Sequence, residues 1–290
     1  MSYTTLITAA QLQSLMASGA PLMVFDCSFD LAQPQAGDQQ FLESRIVGAV
    51  RANLDRHLSA QPGRARSSGG RHPLPTPQDC AAWLASTGFH HTMQAVVYDR
   101  QATTFCGRLW WMLKWLGHDA VAVLDGGLPA WKAEGGALST GQPTPLAPGR
   151  FVATAPRATL VTSNQVLGAL GSGTQTVLDA RAAPRYRGEA EPLDPVAGHI
   201  PGALNRPFAN NFQPDGRFKD QQTLHAEFSA LLGTRDPSGV VHQCGSGVTA
   251  TPNLLAMELA GLGTSALYAG SWSEWCSDTT RPVARGSEQA

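Results

Sequence analysis

Short apolar runs recur along this chain, and each leads into a stretch whose apolar residues return at helical spacing. In the first half the runs are PLMVFD (21–26), AVVYD (95–99) and AVAVLDG (120–126). In the second they are TVLDA (176–180), GVVHQC (239–244) and SALYAG (265–270). Runs of this length bounded by turn residues read as buried strands. Helices are predicted at 105–116 and 251–259, the second closing on a stop at Gly261. This alternation argues an α/β fold: mostly parallel sheets flanked by helices.

The pattern occurs twice. LITAAQLQSL from Leu6 resembles LVTSNQVLGAL from Leu160, and RIVGAV from Arg45 resembles HIPGAL from His199. VVYDRQATTFCGRLWWMLKWLG from Val96 aligns without a gap on VVHQCGSGVTATPNLLAMELAG from Val240, and VLDGGLPAW from Val123 on LYAGSWSEW from Leu267. The first half carries about ten extra residues around LDRHLSAQPGRARSSGGRHPLP, a Gly-, Ser- and Arg-rich loop. A period this long means tandem domains rather than a solenoid. The expected domains are 1–140 and 157–290, with the Pro-, Gly- and Thr-rich stretch 137–156 as linker.

The candidate chemistry sits in 240–261. A strand ends, a Gly-rich turn carries Cys244, and a helix begins. Gly245 and Gly247 permit backbone angles that a side chain forbids. Successive N–H groups in such a turn converge on one place, and the helix start adds partial positive charge. A thiol placed there ionises more readily, and the thiolate is the nucleophile. The plainer alternatives are a small buried hydrophobe or a phosphate cradle that makes no use of the thiol. In the first half Arg100 stands where Cys244 stands in the second, so one half is expected to be reactive and the other supporting.

Composition narrows the field. A net charge of −1 gives no case for nucleic acid or an anionic membrane surface. No apolar run reaches membrane-spanning length, and the N-terminus does not read as a secretory signal. Cys27, Cys80, Cys106, Cys244 and Cys276 are odd in number, widely spaced and free of C-x-x-C pairs. That argues against a disulfide framework or a structural zinc site, and for a reducing cytoplasm. A cysteine phosphatase would need an arginine six residues after the cysteine, where Ala250 stands.

GHIPGALN (198–205), CGSGVTA (244–250), AGSWSEW (269–275) and the echo LDGGLPAW in the first half together resemble the two-domain rhodanese and 3-mercaptopyruvate sulfurtransferase family. The resemblance spans nearly the whole chain and implies two rhodanese-like domains, with the reactive cysteine in the second. It implies that Cys244 takes sulfane sulfur from a small-molecule donor and becomes a persulfide. The sulfur then passes to cyanide or to a thiol, such as thioredoxin or a low-molecular-weight thiol. A ring of backbone N–H groups can hold an anionic persulfide without a metal or cofactor.

Further roles follow from the same resemblance. The loop Gly245, Ser246, Gly247, Val248, Thr249 lacks the basic residues that suit thiosulfate and looks like the mercaptopyruvate type. In that type Ser246 acts with a histidine and an aspartate, here His72 and Asp55, with His57 a rival for the histidine. Arg187 matches an arginine that grips the donor carboxylate. Arg181 is expected in a structural ion pair, Arg185 in solvent, and Trp110, Trp111, Trp115, Trp131, Trp272 and Trp275 in the core. Where the family carries a second arginine shortly before GHIPGA, this chain has Leu193. The expected donor is 3-mercaptopyruvate, with thiosulfate the alternative; a sulfur or redox sensor is the non-enzymatic reading.

Overall fold

The computed structural model describes residues 2–287. The chain divides into two compact units. Unit 1 holds residues up to Ala65, Pro75–Arg157 and Phe212–Phe218; unit 2 holds Arg66–Leu74, Ala158–Asn211 and the chain from Lys219 on.

Each unit is built on a five-stranded, all-parallel sheet. In unit 1 the order across the sheet is Leu6–Ile7, Val121–Leu124, Gln94–Tyr98, Leu22–Asp26, Val50–Arg51. In unit 2 it is Thr159–Leu160, Ala266–Leu267, Val240–Gln243, Thr176–Asp179, Leu204–Asn205. The two orders run through the repeated blocks in the same sequence, so the duplication read from the chain is also a duplication of topology. Every residue of the central strands Gln94–Tyr98 and Val240–Gln243 is buried, as expected for strands covered on both faces.

The same physical devices close both copies. Helices Ala9–Ala17 and Ser163–Gly168 each begin with a capping box, Thr8 with Gln11 and Thr162 with Gln165. Helix Cys106–Trp115 is buried at every position, and helix Thr251–Leu259 from Thr251 to Met257, which is why their apolar residues run all round. The six tryptophans expected in the core are there, Trp115 at 8% being the most exposed of them. Tyr98, Leu124 and Trp131 sit in one core cluster, and Tyr268, Trp272 and Trp275 in the other.

The stretch 137–156 is no free linker. Leu138–Ser139 pairs antiparallel with Arg45–Ile46. Phe151 is 4% exposed and stacks on His91 at 4.3 Å. The strand pairing and the buried Phe151 tie the segment into unit 1 despite its Pro- and Gly-rich composition, while Leu138, Leu146 and Val152 stay exposed. Of the ten-residue insertion region, Arg66–Leu74 packs with unit 2 although the chain order places it in the first half.

Candidate active site

The strand Val240–Gln243 carries Cys244 to the carboxyl end of its sheet, the end where open parallel sheets present reactive groups. The closing motif holds the loop from below. The Cys244 N–H donates to Ser271 Oγ at 3.1 Å. The Cys244 carbonyl accepts from Trp272 N–H at 3.0 Å, and the Gly245 carbonyl from Ser273 N–H at 2.9 Å. Gly247 has φ of +71° and lies against the Ala269 carbonyl, so a side chain there meets both strain and a clash.

Cys244 itself is 1% exposed, but its surroundings are polar. Among the described residues, the N–H groups of Gly245, Ser246, Val248 and Thr249 have no acceptor in the protein. Unpaired buried amides are costly, and amides grouped in one turn make an anion site.

Unit 1 shows what such a loop holds. There, Asp99 Oδ1 accepts from the N–H groups of Gln101 and Thr103, and Oδ2 from those of Phe105 and Cys106, all at 2.8–3.0 Å. In the gapless alignment these four amides match Gly245, Gly247, Thr249 and Ala250, and Asp99 matches Gln243. Thr103 shares the left-handed backbone of Gly247. The copy without Cys244 fills its amide ring with its own carboxyl group, which burial pushes above the ordinary carboxylate range despite these amides. The copy with Cys244 replaces that group with the neutral, buried amide side chain of Gln243, whose polar atoms have no hydrogen-bond partner.

The segment Arg66–Leu74 brings two more groups. His72 Nδ1 lies 2.8 Å from Ser246 Oγ, and both residues are buried. Gly69 and Gly70 make this approach possible: a Cβ on Gly69 would meet the Glu274 side chain at 2.8 Å, and one on Gly70 the Gly270 carbonyl. The Arg71 N–H then donates to Ser273 Oγ at 3.0 Å, pinning the segment to the closing motif.

Beside the loop lies a chain of alternating charges. Arg181 forks onto Asp179, with Nη2–Oδ2 at 2.7 Å, and stacks on Trp272. Burial disfavours its charge, but Asp179 and then Glu191 more than compensate, and its pKa is raised. This is the structural ion pair expected of it. Glu191 Oε1 accepts from Arg185 Nη2 at 2.6 Å, and Asp194 receives both Arg185 and Arg71.

Arg187 is not in this group. Its guanidinium forks onto Glu189 at 2.7 and 2.8 Å, on the surface. Arg185, expected in solvent, reaches Gly245 together with Arg71: a Cβ there would lie 3.4 Å from Arg185 Nη1 and 3.2 Å from Arg71 Nη2. Arg185 lies in the four-residue helix Ala183–Tyr186 and Arg187 caps it, and positions two apart on a helical turn face different ways. Arg71 was not among the expected site residues; its adjacency to His72 in GGRHPLP was the available signal.

Asp55 and His57 belong to unit 1. The Asp55 N–H donates to Asn53 Oδ1 at 3.0 Å, and partial burial raises its carboxyl pKa. His57 stacks on Trp83, its Nδ1 accepts from the Asn53 N–H, and burial lowers its pKa to about 4. Burial pushes the thiols of Cys27 and Cys106 far above their ordinary value and that of Cys80 up to about 12. Burial also raises Cys276, seconded by the charge of Asp194. All five cysteines are unpaired by disulfides.

Comparison with known proteins bears on the fold and the family. The Rhodanese-like domain family matches the chain twice, over residues 8–134 and 162–278. Over 287 residues the chain is 48% identical to the protein of Pseudomonas aeruginosa named "Probable 3-mercaptopyruvate sulfurtransferase", covering 99% of this chain and 100% of that one. The thiosulfate sulfurtransferase of Bos taurus is 34% identical, covering 89% of this chain and 86% of its own length. The crystal structure of SseA from Escherichia coli, reported with the fold and mechanism of 3-mercaptopyruvate sulfotransferases, matches with a TM-score of 0.79 at 30% identity. That match covers 94% of this chain and all of SseA.

Proposed function

The chain belongs to the two-domain rhodanese and 3-mercaptopyruvate sulfurtransferase family, and from that membership we propose how it transfers sulfur. Cys244 attacks the sulfur of 3-mercaptopyruvate as a thiolate. The carbon–sulfur bond breaks, and its electron pair leaves on carbon as the enolate of pyruvate. A proton from the Ser246 hydroxyl, replaced from His72, quenches the enolate. The sulfur remains on Cys244 as a persulfide, held by the loop amides. A thiolate acceptor, a small thiol or the thiol of a thioredoxin, then attacks the outer sulfur and frees Cys244; cyanide serves as an alternative acceptor.

The observation that carries this reading is the contrast between the copies: in one, Asp99 takes the N–H groups of Gln101 and Phe105, and in the other the matching N–H groups of Gly245 and Thr249 have no acceptor among the described residues and stand beside a thiol. The His72–Ser246 contact supports the choice of donor, because thiosulfate releases sulfite and needs no carbon protonated. Asp55 is proposed as the third member of that relay on the strength of its place in RANLD. No helix among the described residues is long and apolar enough to cross a membrane. Five unpaired cysteines support a reducing compartment such as the cytoplasm.

Side-by-side kinetics with 3-mercaptopyruvate and thiosulfate test the proposal. The wild type is expected to favour 3-mercaptopyruvate in kcat/KM; turnover of neither donor would leave the sensor reading. Ser246→Ala and His72→Ala are each expected to slow mercaptopyruvate turnover by roughly 10²-fold, the scale of a lost proton donor. Thiosulfate turnover should fall only a few-fold, and equal losses would remove the relay. Arg185→Ala should raise KM for 3-mercaptopyruvate by about tenfold or more, the worth of a charged hydrogen bond, while Arg187→Ala leaves it within about twofold. The reverse ranking would return the carboxylate to Arg187.

A further inference from the structure

We propose that Arg71 is a second arm for the donor carboxylate and so sets specificity for α-keto acid donors. The inference rests on the sulfurtransferase reading above and adds a residue from a different part of the chain. The stretch 188–198, GEAEPLDPVAG, contains no basic residue, so it offers the substrate no cation of its own. Arg71 arrives at that place from the Arg66–Leu74 segment: its Nη1 donates to Asp194 Oδ1 at 2.8 Å and reaches the Leu193 carbonyl at 3.4 Å.

Asp194 is what allows two cations to stand together. It takes Arg71 on Oδ1 and Arg185 on Oδ2, and a shared carboxylate offsets the repulsion between the guanidiniums. Glu191 holds the Nε and Nη2 of Arg185. These contacts occupy one edge of each guanidinium. Arg71 Nη2 and Arg185 Nη1 have no protein acceptor among the described residues, and Arg71 Nε is buried without one. Both free nitrogens point to the same spot: they lie 3.2 and 3.4 Å from where a Gly245 side chain would begin.

A planar group with two oxygens, set at Gly245 beside Cys244, can therefore accept from both arms at once. A carboxylate is that group, and in 3-mercaptopyruvate it lies two carbons from the carbon that bears the sulfur. The glycine at 245 keeps the space between the arms open. The Ser273 hydroxyl, accepting from the Arg71 N–H, and the Asp194 carboxylate fix the arm before any donor arrives, so little ordering remains for the substrate to impose.

The test compares 3-mercaptopyruvate with mercaptoacetone, the same donor with a methyl group in place of the carboxylate. Arg71→Gln is expected to raise KM for 3-mercaptopyruvate by about 10- to 100-fold. Its kcat/KM for mercaptoacetone should stay within about twofold of wild type, which also shows that the variant is folded and reactive. Arg71→Lys should restore part of the loss, because a point charge replaces one tooth of the fork. Pyruvate, assayed as an inhibitor of mercaptoacetone turnover, should bind Arg71→Gln more weakly by a similar factor. Equal losses for both donors, or an unchanged KM for 3-mercaptopyruvate, would overturn the assignment. A wild type that forms no persulfide on Cys244 would instead fail the functional reading itself, a result distinct from any Arg71 outcome.

Discussion

Cys244→Ser is expected to lose sulfur transfer from every donor, by on the order of 10⁴-fold or more, the scale on which a missing nucleophile is felt. The step requires an anion that attacks sulfur and then holds a sulfur–sulfur bond. A serine hydroxyl is scarcely ionised at neutral pH and forms no stable bond to sulfane sulfur. The other four cysteines are buried, and burial raises the pKa of each, which disfavours the thiolate there. The check is twofold. Wild-type protein mixed with 3-mercaptopyruvate should gain the mass of one sulfur atom on the peptide containing Cys244, and the serine variant should gain none. The loop is held through backbone groups of residues 244 and 245, so the variant should melt within a few degrees of wild type, about the effect of a substitution under 1 kcal/mol. Appreciable transfer by the serine variant would move the sulfur carrier to another group.

A second large effect is expected at a residue that touches no substrate. Gln243→Asp places in the reactive copy the acid that Asp99 provides in the other. The unit 1 contacts show four amides bound by one such carboxyl group. An internal carboxylate in unit 2 would compete for the amides that hold the persulfide, and its charge would oppose a thiolate beside it. Each charged amide hydrogen bond is worth about 1.5–3 kcal/mol. Loss of even two predicts a fall of roughly 10²-fold or more in persulfide formation. Gln243→Asn, neutral and of the same length as aspartate, separates charge from shape and should retain most activity. Rapid-mixing measurement of persulfide formation decides between them: an aspartate variant as fast as wild type would show that the amides do not hold the sulfur.

The architecture was largely legible because buried parallel strands are short, continuous apolar runs, and two copies of a pattern confirm one another. The gapless match from Val96 to Val240 placed both central strands and both following helices. What the linear chain hid was where loops pack. Nothing in GGRHPLP says that its two glycines lie against Gly270 and Glu274, or that His72 thereby meets Ser246. The 137–156 stretch has the composition of a tether, yet one buried phenylalanine and a two-residue strand make it part of a core. That Arg185 lies near Gly245 while Arg187 pairs with Glu189 was not readable either: in a single helical turn the facing side depends on where the turn starts, and spacing alone does not reveal that. Asp99 was visible in the alignment opposite Gln243, but its meaning required the positions of the amides.

The nine residues of Arg66–Leu74 lie, by chain order, in the copy that has Arg100 at the place of Cys244, and by packing with the copy that carries Cys244. A polypeptide starting at Ala158 would keep the sulfur carrier and forfeit both His72 and Arg71. A cut at the boundary between the repeats therefore separates Cys244 from a segment that packs in its own compact unit, so the sequence repeat and the structural unit are not the same division of the chain.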